Sequence, residues 1–390
     1  MTPSARVAAA IEILDHILSG TPPEPALSQW ARSHRFAGSG DRAAIRDHVF
    51  DALRCQRSFA ALGGALTGRG LMIGALRAQG RDPAEVFTGE RYAPEQLGAA
   101  EQAYEPGDLP EAVALDIPDW LAPHLRTSLG AQFAPVLQRM QARAPVFLRV
   151  NTLKSDLKTA QATLVTDGIE TEPHSLADTA LRVTANARRV SGSAAYRAGL
   201  VELQDAASQA VVAQLTPIAA DSRVLDYCAG GGGKSLALAA MAPEATVLAH
   251  DALPRRMVDL PARAQRAGAR IKTVSTSEAA QQAPYNLVLC DVPCSGSGAW
   301  RRQPAAKWDL KPARLEELCR IQSDILSQAA RLVAPGGRLA YATCSLLEAE
   351  NTAQIEHFVA QNGSWRSDLT KQLTPLDGGD GFFLATLTRE

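Results

Sequence analysis

Val7, Ile11, Leu14 and Leu18 recur at a helical period, and a similar apolar stripe runs from His48 to Leu62. Both predict amphipathic helices. Between them, Phe36-Ala-Gly-Ser-Gly-Asp-Arg42 breaks the pattern, with Ser39 or Asp41 placed to cap the helix that follows. No strand alternation interrupts residues 1–85, which predicts a helical N-terminal domain. Residues 86–116 mix Gly, Pro and acidic positions without a period and predict a linker. From Pro118 a helical stretch runs to about Ala142. A strand over Val146–Asn151 follows, with shorter strands near Thr171, Leu181 and Leu200. This predicts a small α+β subdomain over 117–205.

Beyond it the period alternates. Strands are expected at Arg223–Tyr227, Thr246–His250, Ile271–Val274, Asn286–Cys290 and Arg338–Ala342, with helical stretches between them. Such alternation predicts an α/β domain over 206–390, a parallel sheet with helices on both faces. Gly381–Leu387 reads as a last strand. There is no internal repeat.

Composition narrows the function classes. The 390 residues are 46% hydrophobic and 21% charged, with a net charge of −1. That excludes a polybasic nucleic-acid coat, so any nucleic-acid site must be a local patch. No apolar run approaches the roughly 18 residues of a membrane helix. Met1–Ile13 lacks the layout of a signal peptide, so a cytoplasmic protein is expected. The six cysteines show no CxxC spacing, which argues for free thiols and against zinc.

Candidate chemistry begins after the first strand of the α/β domain. There Asp226-Tyr-Cys228-Ala229-Gly230-Gly231-Gly232-Gly233-Lys234-Ser235 forms a glycine loop at a strand-to-helix junction. Such a loop lets a ligand approach the backbone and offers helix N–H groups. Asp251, at the end of the next strand, stands where a ribose hydroxyl would be held. A P-loop would need glycine at position 228, which is a cysteine here, although Asn286–Asp291 resembles a Walker B strand. Acidic groups on both sides of the loop suit an adenosine ligand without phosphates, namely S-adenosylmethionine.

Two further motifs end strands: Asp291-Val-Pro-Cys294-Ser-Gly-Ser-Gly298 and Tyr341-Ala-Thr-Cys344-Ser345. In an open parallel sheet both would face one crevice at the carboxyl ends of the strands. A thiolate adding to C6 of cytosine makes C5 nucleophilic enough to accept a methyl group, which is covalent catalysis. Asp291 is placed to act at N3 as an acid, with burial expected to raise its pKa. Either Cys294 or Cys344 can be the nucleophile on this reading. Cys55, Cys290 and Cys319 are expected to be buried hydrophobes, and Cys228 to shape its loop.

Together with Phe147-Leu-Arg-Val-Asn151, these motifs resemble the RsmB/Sun-type RNA cytosine-5 methyltransferases from about residue 118 to the end. Gly40–Arg54 is similar to the NusB-like domain of that family. The resemblance implies a Rossmann-like class I methyltransferase sheet behind an all-helical N-terminal domain. It implies S-adenosylmethionine as cofactor and RNA, ribosomal RNA in particular, as partner, handled by a monomer. By the same likeness Cys344 is the nucleophile, Cys294 assists product release, and residues 228–234 hold the cofactor. Asp251 then lies at the ribose and Asp291 near the methyl group. The family's adenine-contacting aspartate falls at Ser277, followed by Glu278. A P-loop-like NTPase and a non-catalytic RNA-binding ribosome assembly factor are the competing readings.

An RNA surface is expected at Arg301, Arg302, Lys307, Lys311 and Arg314, interleaved with Trp300 and Trp308. A second basic cluster holds Arg255, Arg256, Arg263, Arg266, Arg270 and Lys272, while Arg149 and Lys154 flank Asn151. His250 and His357 are expected to be structural.

Overall fold

The computed structural model describes residues 1–390, which divide into two compact units. One comprises Met1–Arg143 together with Trp300–Asp309, the other Ala144–Ala299 with Leu310–Glu390. The expected boundaries at 85, 116 and 205 do not coincide with this division. Val86, Phe87 and Leu97, in the stretch read as a linker, are buried in the helical core. The helices Ala122–Leu129 and Phe133–Met140 fall in the first unit.

The first unit is helical: Pro3–Leu18, Pro23–Ser33, Ser39–Arg54, Gln56–Gly63 and Gly68–Ala78 precede the pair just named. Thr2 caps the first helix by accepting from the Ala5 N–H, and Pro3 fits its first turn. Its buried face carries Val7, Ala10, Ile13 and Leu14. The helix after the Phe36–Arg42 break is capped by Gly38, not by Ser39 or Asp41. Asp41 instead accepts from Arg6 Nε at 2.9 Å. The fourth and fifth helices meet through glycines. A Cβ at Gly74 would stand 1.8 Å from the Phe59 carbonyl, so only glycine allows that approach.

The second unit holds two sheets. The smaller has four antiparallel strands, β1 (Val146–Val150), β2 (Glu170–Pro173), β3 (Ala180–Ala185) and β4 (Val201–Leu203), in the order β2-β3-β1-β4. The larger contains β5 (Arg223–Asp226), β6 (Thr246–Ala249), β7 (Ile271–Thr273), β8 (Tyr285–Asp291), β9 (Val333–Thr343), β10 (Trp365–Leu373) and β11 (Phe382–Arg389). Their order is β10-β11-β9-β8-β5-β6-β7. Strands β5 to β9 pair in parallel, whereas β11 is antiparallel to both β9 and β10. The chain runs outward from β5 to β7 and then crosses back to β8 beside β5. That reversal is the switch point where open α/β sheets open a crevice.

β10 was not expected from the sequence. It is an edge strand whose middle residues are polar and mostly exposed, so it lacks the apolar alternation that marks a covered strand.

No single helix is long and apolar enough to cross a membrane.

Candidate active site

Four strand ends supply the site: Asp226 closes β5, Asp251 follows β6, Asp291 closes β8, and Cys344 follows β9. Gly230 and Gly232 take positive φ values of 52° and 80°, so the turn from β5 into the helix Gly233–Met241 suits glycine. A Cβ at Gly232 would meet Leu260 Cδ1 at 2.2 Å, so the chain's own packing also requires glycine there.

Three backbone N–H groups of that loop have partners within the chain. Ala229 donates to the His250 carbonyl at 2.8 Å, Gly232 to the Ala229 carbonyl at 2.8 Å, and Gly230 to Asp251 Oδ2 at 3.0 Å. Asp251 is buried and also accepts from Leu253 N at 2.9 Å and Arg256 Nη1 at 3.0 Å. Three of the loop's N–H groups are thus not free to hold a phosphate. Its lysine is engaged as well: Lys234 Nζ lies 2.6 Å from Asp291 Oδ2 and 4.9 Å from the Phe382 ring centroid. Burial opposes the ammonium form of Lys234, but the adjacent Asp291 charge outweighs it and holds the pKa above the ordinary value. Asp291 itself is only half-buried and carries the Lys234 ammonium on one oxygen.

Asp226 is fully buried, and burial pushes its carboxyl up to about 7. Its Oδ2 accepts from Ser235 Oγ at 2.6 Å, while its Oδ1 finds no donor among the chain's atoms. An orphaned acceptor at the floor of the crevice, with Asp251 and Asp291 at neighbouring strand ends, fits a cationic, donor-rich ligand. S-adenosylmethionine has that character.

Ser277 lies in the first turn of the helix after β7 and is exposed. Glu278 is taken up locally, accepting from the Ser275 N–H and Oγ at 2.8 Å each in a capping box. His250 is buried and structural: its ring is bonded to the Tyr227 carbonyl and Thr276 Oγ1 and stacks on Tyr227.

The two motif cysteines come together. Cys294 Sγ and Cys344 Sγ are 3.4 Å apart, and both side chains are half-buried. The hydrogen bond to Cys344, followed by burial, lifts the Cys294 thiol well above its ordinary pKa, so Cys294 keeps its proton. Burial does the same to Cys228 and Cys290, and raises Cys55 to about 12. Of the three cysteines expected to be buried, Cys290 is fully enclosed, whereas Cys55 and Cys319 are only half-buried.

Glu350, whose role the sequence did not reveal, holds the two cysteine loops together. Its buried carboxylate accepts from Ser295 N at 2.7 Å, Ser295 Oγ at 2.5 Å, Ser345 Oγ at 2.5 Å and Gln322 Nε2 at 3.0 Å. Gly298 N donates to the Cys344 carbonyl at 2.9 Å, a second tie between the loops. An acid and an asparagine a few residues after Thr-Cys-Ser are the only trace of this clamp in the sequence.

The expected RNA surface is corrected in part. Arg301, Lys307 and Trp300 are buried in the helical unit. Lys307 Nζ donates to the Arg54 carbonyl at 3.0 Å, and Trp308 Nε1 to the Leu53 carbonyl at 2.7 Å. Burial lowers Lys307 to about 8. Lys311 and Arg314 remain exposed. In the second cluster Arg263 and Arg266 converge on the buried Glu202, and Arg256 pairs with Asp251. Arg149 is buried too, which pulls it down to about 10. Lys154 donates to the Arg266 carbonyl at 2.6 Å.

Residues 212–388 match the family described as 16S rRNA methyltransferase RsmB/F, and residues 117–190 its ferredoxin-like domain. Ribosomal RNA small subunit methyltransferase B of Sodalis glossinidius is 32% identical over 308 residues, 74% of this chain and 70% of that protein. The same-named protein of Xylella fastidiosa (strain Temecula1) is 33% identical over 70% of this chain and 67% of its own length. That of Photorhabdus laumondii is 32% identical over 70% and 66%. The chain thus spans about two thirds of the length of these curated relatives. The crystal structure of PH0851 superposes with a TM-score of 0.78 at 25% identity, over 99% of both chains. NSun6 from Pyrococcus horikoshii with SFG shares the fold, with a TM-score of 0.62 at 16% identity over 70% of this chain and 98% of that one.

Proposed function

This chain belongs to the RsmB/F family of 16S rRNA methyltransferases, and on that premise we propose that it methylates C5 of a cytosine in ribosomal RNA through a covalent cysteine intermediate. The observation that carries this reading is the 3.4 Å approach of Cys344 to Cys294 across two strand ends. A methyltransferase acting on a more reactive atom needs neither thiol, whereas C5 of cytosine needs one to be activated and benefits from a second.

S-adenosylmethionine is the cofactor, and when bound it supplies an electrophilic methyl group to the activated C5. The residues that would hold it are Cys228, Ala229, Gly230, Gly231, Gly232, Gly233 and Lys234 of the loop, Asp251, Asp291 and, in the first turn of the helix after β7, Ser277. Asp226 Oδ1 adds a buried acceptor beneath them.

Cys344 acts as the nucleophile, its thiolate forming the bond to C6. Cys294 stays protonated beside it and donates toward its sulfur. Once the methyl is on C5, a base from solvent takes the C5 proton, the C5–C6 double bond re-forms as the C6–S bond breaks, and the Cys294 proton neutralises the leaving Cys344 thiolate. The Lys234–Asp291 pair carries a proton at the polar edge of the base, so that negative charge building at N3 during addition is met by a donor. Rigid presentation comes from Pro293 on one loop and from Glu350 across both.

The NTPase alternative loses support from the family match, and three N–H groups of the glycine loop are already engaged. The test is to incubate unmethylated small-subunit rRNA with the protein and S-adenosylmethionine, then digest it to nucleosides for mass spectrometry. A gain of 5-methylcytidine alone supports the reading; methylation at another atom, or none, overturns it.

A further inference from the structure

Gly230–Gly233 carry no side chains that could anchor the glycine loop, and glycine has the widest backbone freedom of any residue. A loop left to wander would have to be ordered by its ligand, at the expense of affinity. One grip on this loop comes from outside the large sheet. Arg263, on the helix Leu260–Ala267, donates from Nη1 to the Gly231 carbonyl. Its other terminal nitrogen, Nη2, donates to Glu202 Oε2 at 3.0 Å. Glu202 belongs to β4 of the small sheet and is buried.

Glu202 is itself fixed in place. Arg266 donates to its Oε1 and lays its guanidinium 4.4 Å from the centroid of the Tyr196 ring. The buried Arg149 stands opposite Glu202 in the β1–β4 register. The helix that carries both other arginines is tied to the small sheet at its end. Asn151 Nδ2, just past β1, donates to the Ala267 carbonyl at 2.7 Å. Gly199 approaches the Arg266 carbonyl so closely that a Cβ there would lie 2.0 Å from it. Carboxylate, guanidinium and loop carbonyl therefore form one chain from the small sheet to the glycine loop.

A buried carboxylate needs a cation to offset its desolvation, and Arg266 and Arg149 already stand beside Glu202. Neutralising Glu202 does not call for Arg263 as well. What Arg263 adds is the second contact, and the guanidinium fork suits it because two nitrogens can serve two acceptors at once. We propose that Glu202 and Arg263 are positioning residues for the cofactor, through which the small sheet holds the glycine loop in the shape that receives S-adenosylmethionine. The proposal rests on the reading of residues 228–234 as the cofactor loop.

The test uses the full chain. S-adenosylhomocysteine is titrated calorimetrically into wild type, Arg263→Leu, Arg263→Lys, Glu202→Gln and the Arg263→Leu, Glu202→Gln double variant. Methyl transfer at saturating cofactor and hydrogen exchange over residues 228–235 are followed in parallel. Arg263 is partly exposed and leucine keeps much of its stem, so that variant should fold. The proposal predicts that Arg263→Leu and Glu202→Gln each raise the Kd about tenfold through lost preorganisation, with kcat at saturating cofactor unchanged. Arg263→Lys keeps the charge without the fork and should fall between. The double variant should bind no worse than the weaker single one, because both cut the same chain. In the ligand-free variants the loop should exchange faster than in wild type. Unchanged affinity and loop exchange in Arg263→Leu, or losses that add in the double variant, overturn the proposal. Ligand that protects other segments of the wild type but not 228–235 instead overturns the reading of that loop as the cofactor's.

Discussion

Ser295 and Ser345, one residue beyond each motif cysteine, both donate their hydroxyls to the Glu350 carboxylate at 2.5 Å. This shared acceptor, buried beneath the site, fixes the spacing of two loops whose sulfurs act in turn on one base in the proposed mechanism. A displacement of a single ångström would separate the two thiols, so the proposed mechanism depends on the clamp as much as on the thiols it aligns.

Glu350→Ala removes the shared acceptor of those two hydroxyls and of the Ser295 N–H, and leaves Gln322 Nε2 with only the Pro293 carbonyl. The expected cost is about 3 kcal/mol of stability, with a large fall in kcat. Glu350→Gln keeps an acceptor oxygen and should lose less of both. Urea unfolding alongside methyl-transfer rates checks this; equal stability in all three proteins would contradict it.

Asp226 gives a pH dependence with a definite sign. Its buried carboxyl titrates near 7, whereas the same group in the unfolded chain titrates at about 4. Between those values the folded chain holds a proton that the unfolded chain has released. The stability from this group is therefore complete below about pH 4 and is lost as the pH rises toward 7. Asp226→Asn removes the effect, so its unfolding midpoint should gain on wild type as pH goes from 4 to 8. Parallel pH profiles would contradict the assignment.

Asp251 accepts from Gly230 N and so ties the second strand end to the glycine loop. Asp251→Ala should weaken binding of S-adenosylhomocysteine by about tenfold or more, in line with loss of a charged hydrogen-bond acceptor. Calorimetric titration measures it directly. Ser277→Ala, at an exposed position, should show the smaller effect.

Lys307 separates a structural from an RNA-binding reading of the basic stretch after Pro-Cys-Ser. It is buried and donates to the Arg54 carbonyl. Lys307→Ala should lower stability by about 1–3 kcal/mol and leave the KM for RNA unchanged. Exposed Arg314→Ala should not lower stability measurably. A raised KM at unchanged stability for Lys307→Ala would restore the phosphate-contact reading.

Much of this was legible in the sequence because the chemistry sits at strand ends. The parallel strands are apolar runs bounded by turn residues, and Asp226, Asp251, Asp291 and Cys344 mark where four of them stop. Covered strands must be apolar, so the sequence shows them plainly, whereas the polar edge strand Trp365–Leu373 gave no such signal. The basic run from Arg301 to Arg314 misled for a related reason. A charged side chain can be buried when carbonyls accept its protons, and nothing in the local sequence reveals that the Arg54 carbonyl accepts from Lys307 or the Leu53 carbonyl from the neighbouring Trp308. Glu350 was hidden likewise, since its donors come from Ser295, Gln322 and Ser345, far apart along the chain.

The central claim is that Cys344 attacks the base and Cys294 lets the product go. The most direct measurement incubates wild type, Cys344→Ala and Cys294→Ala with small-subunit rRNA and methyl-labelled S-adenosylmethionine, then separates free from protein-bound RNA under denaturing conditions. The account predicts free labelled RNA from wild type, no label from Cys344→Ala, and label trapped in a covalent protein–RNA adduct with Cys294→Ala. Methylation by Cys344→Ala, or a trapped adduct with Cys344→Ala in place of Cys294→Ala, would contradict it.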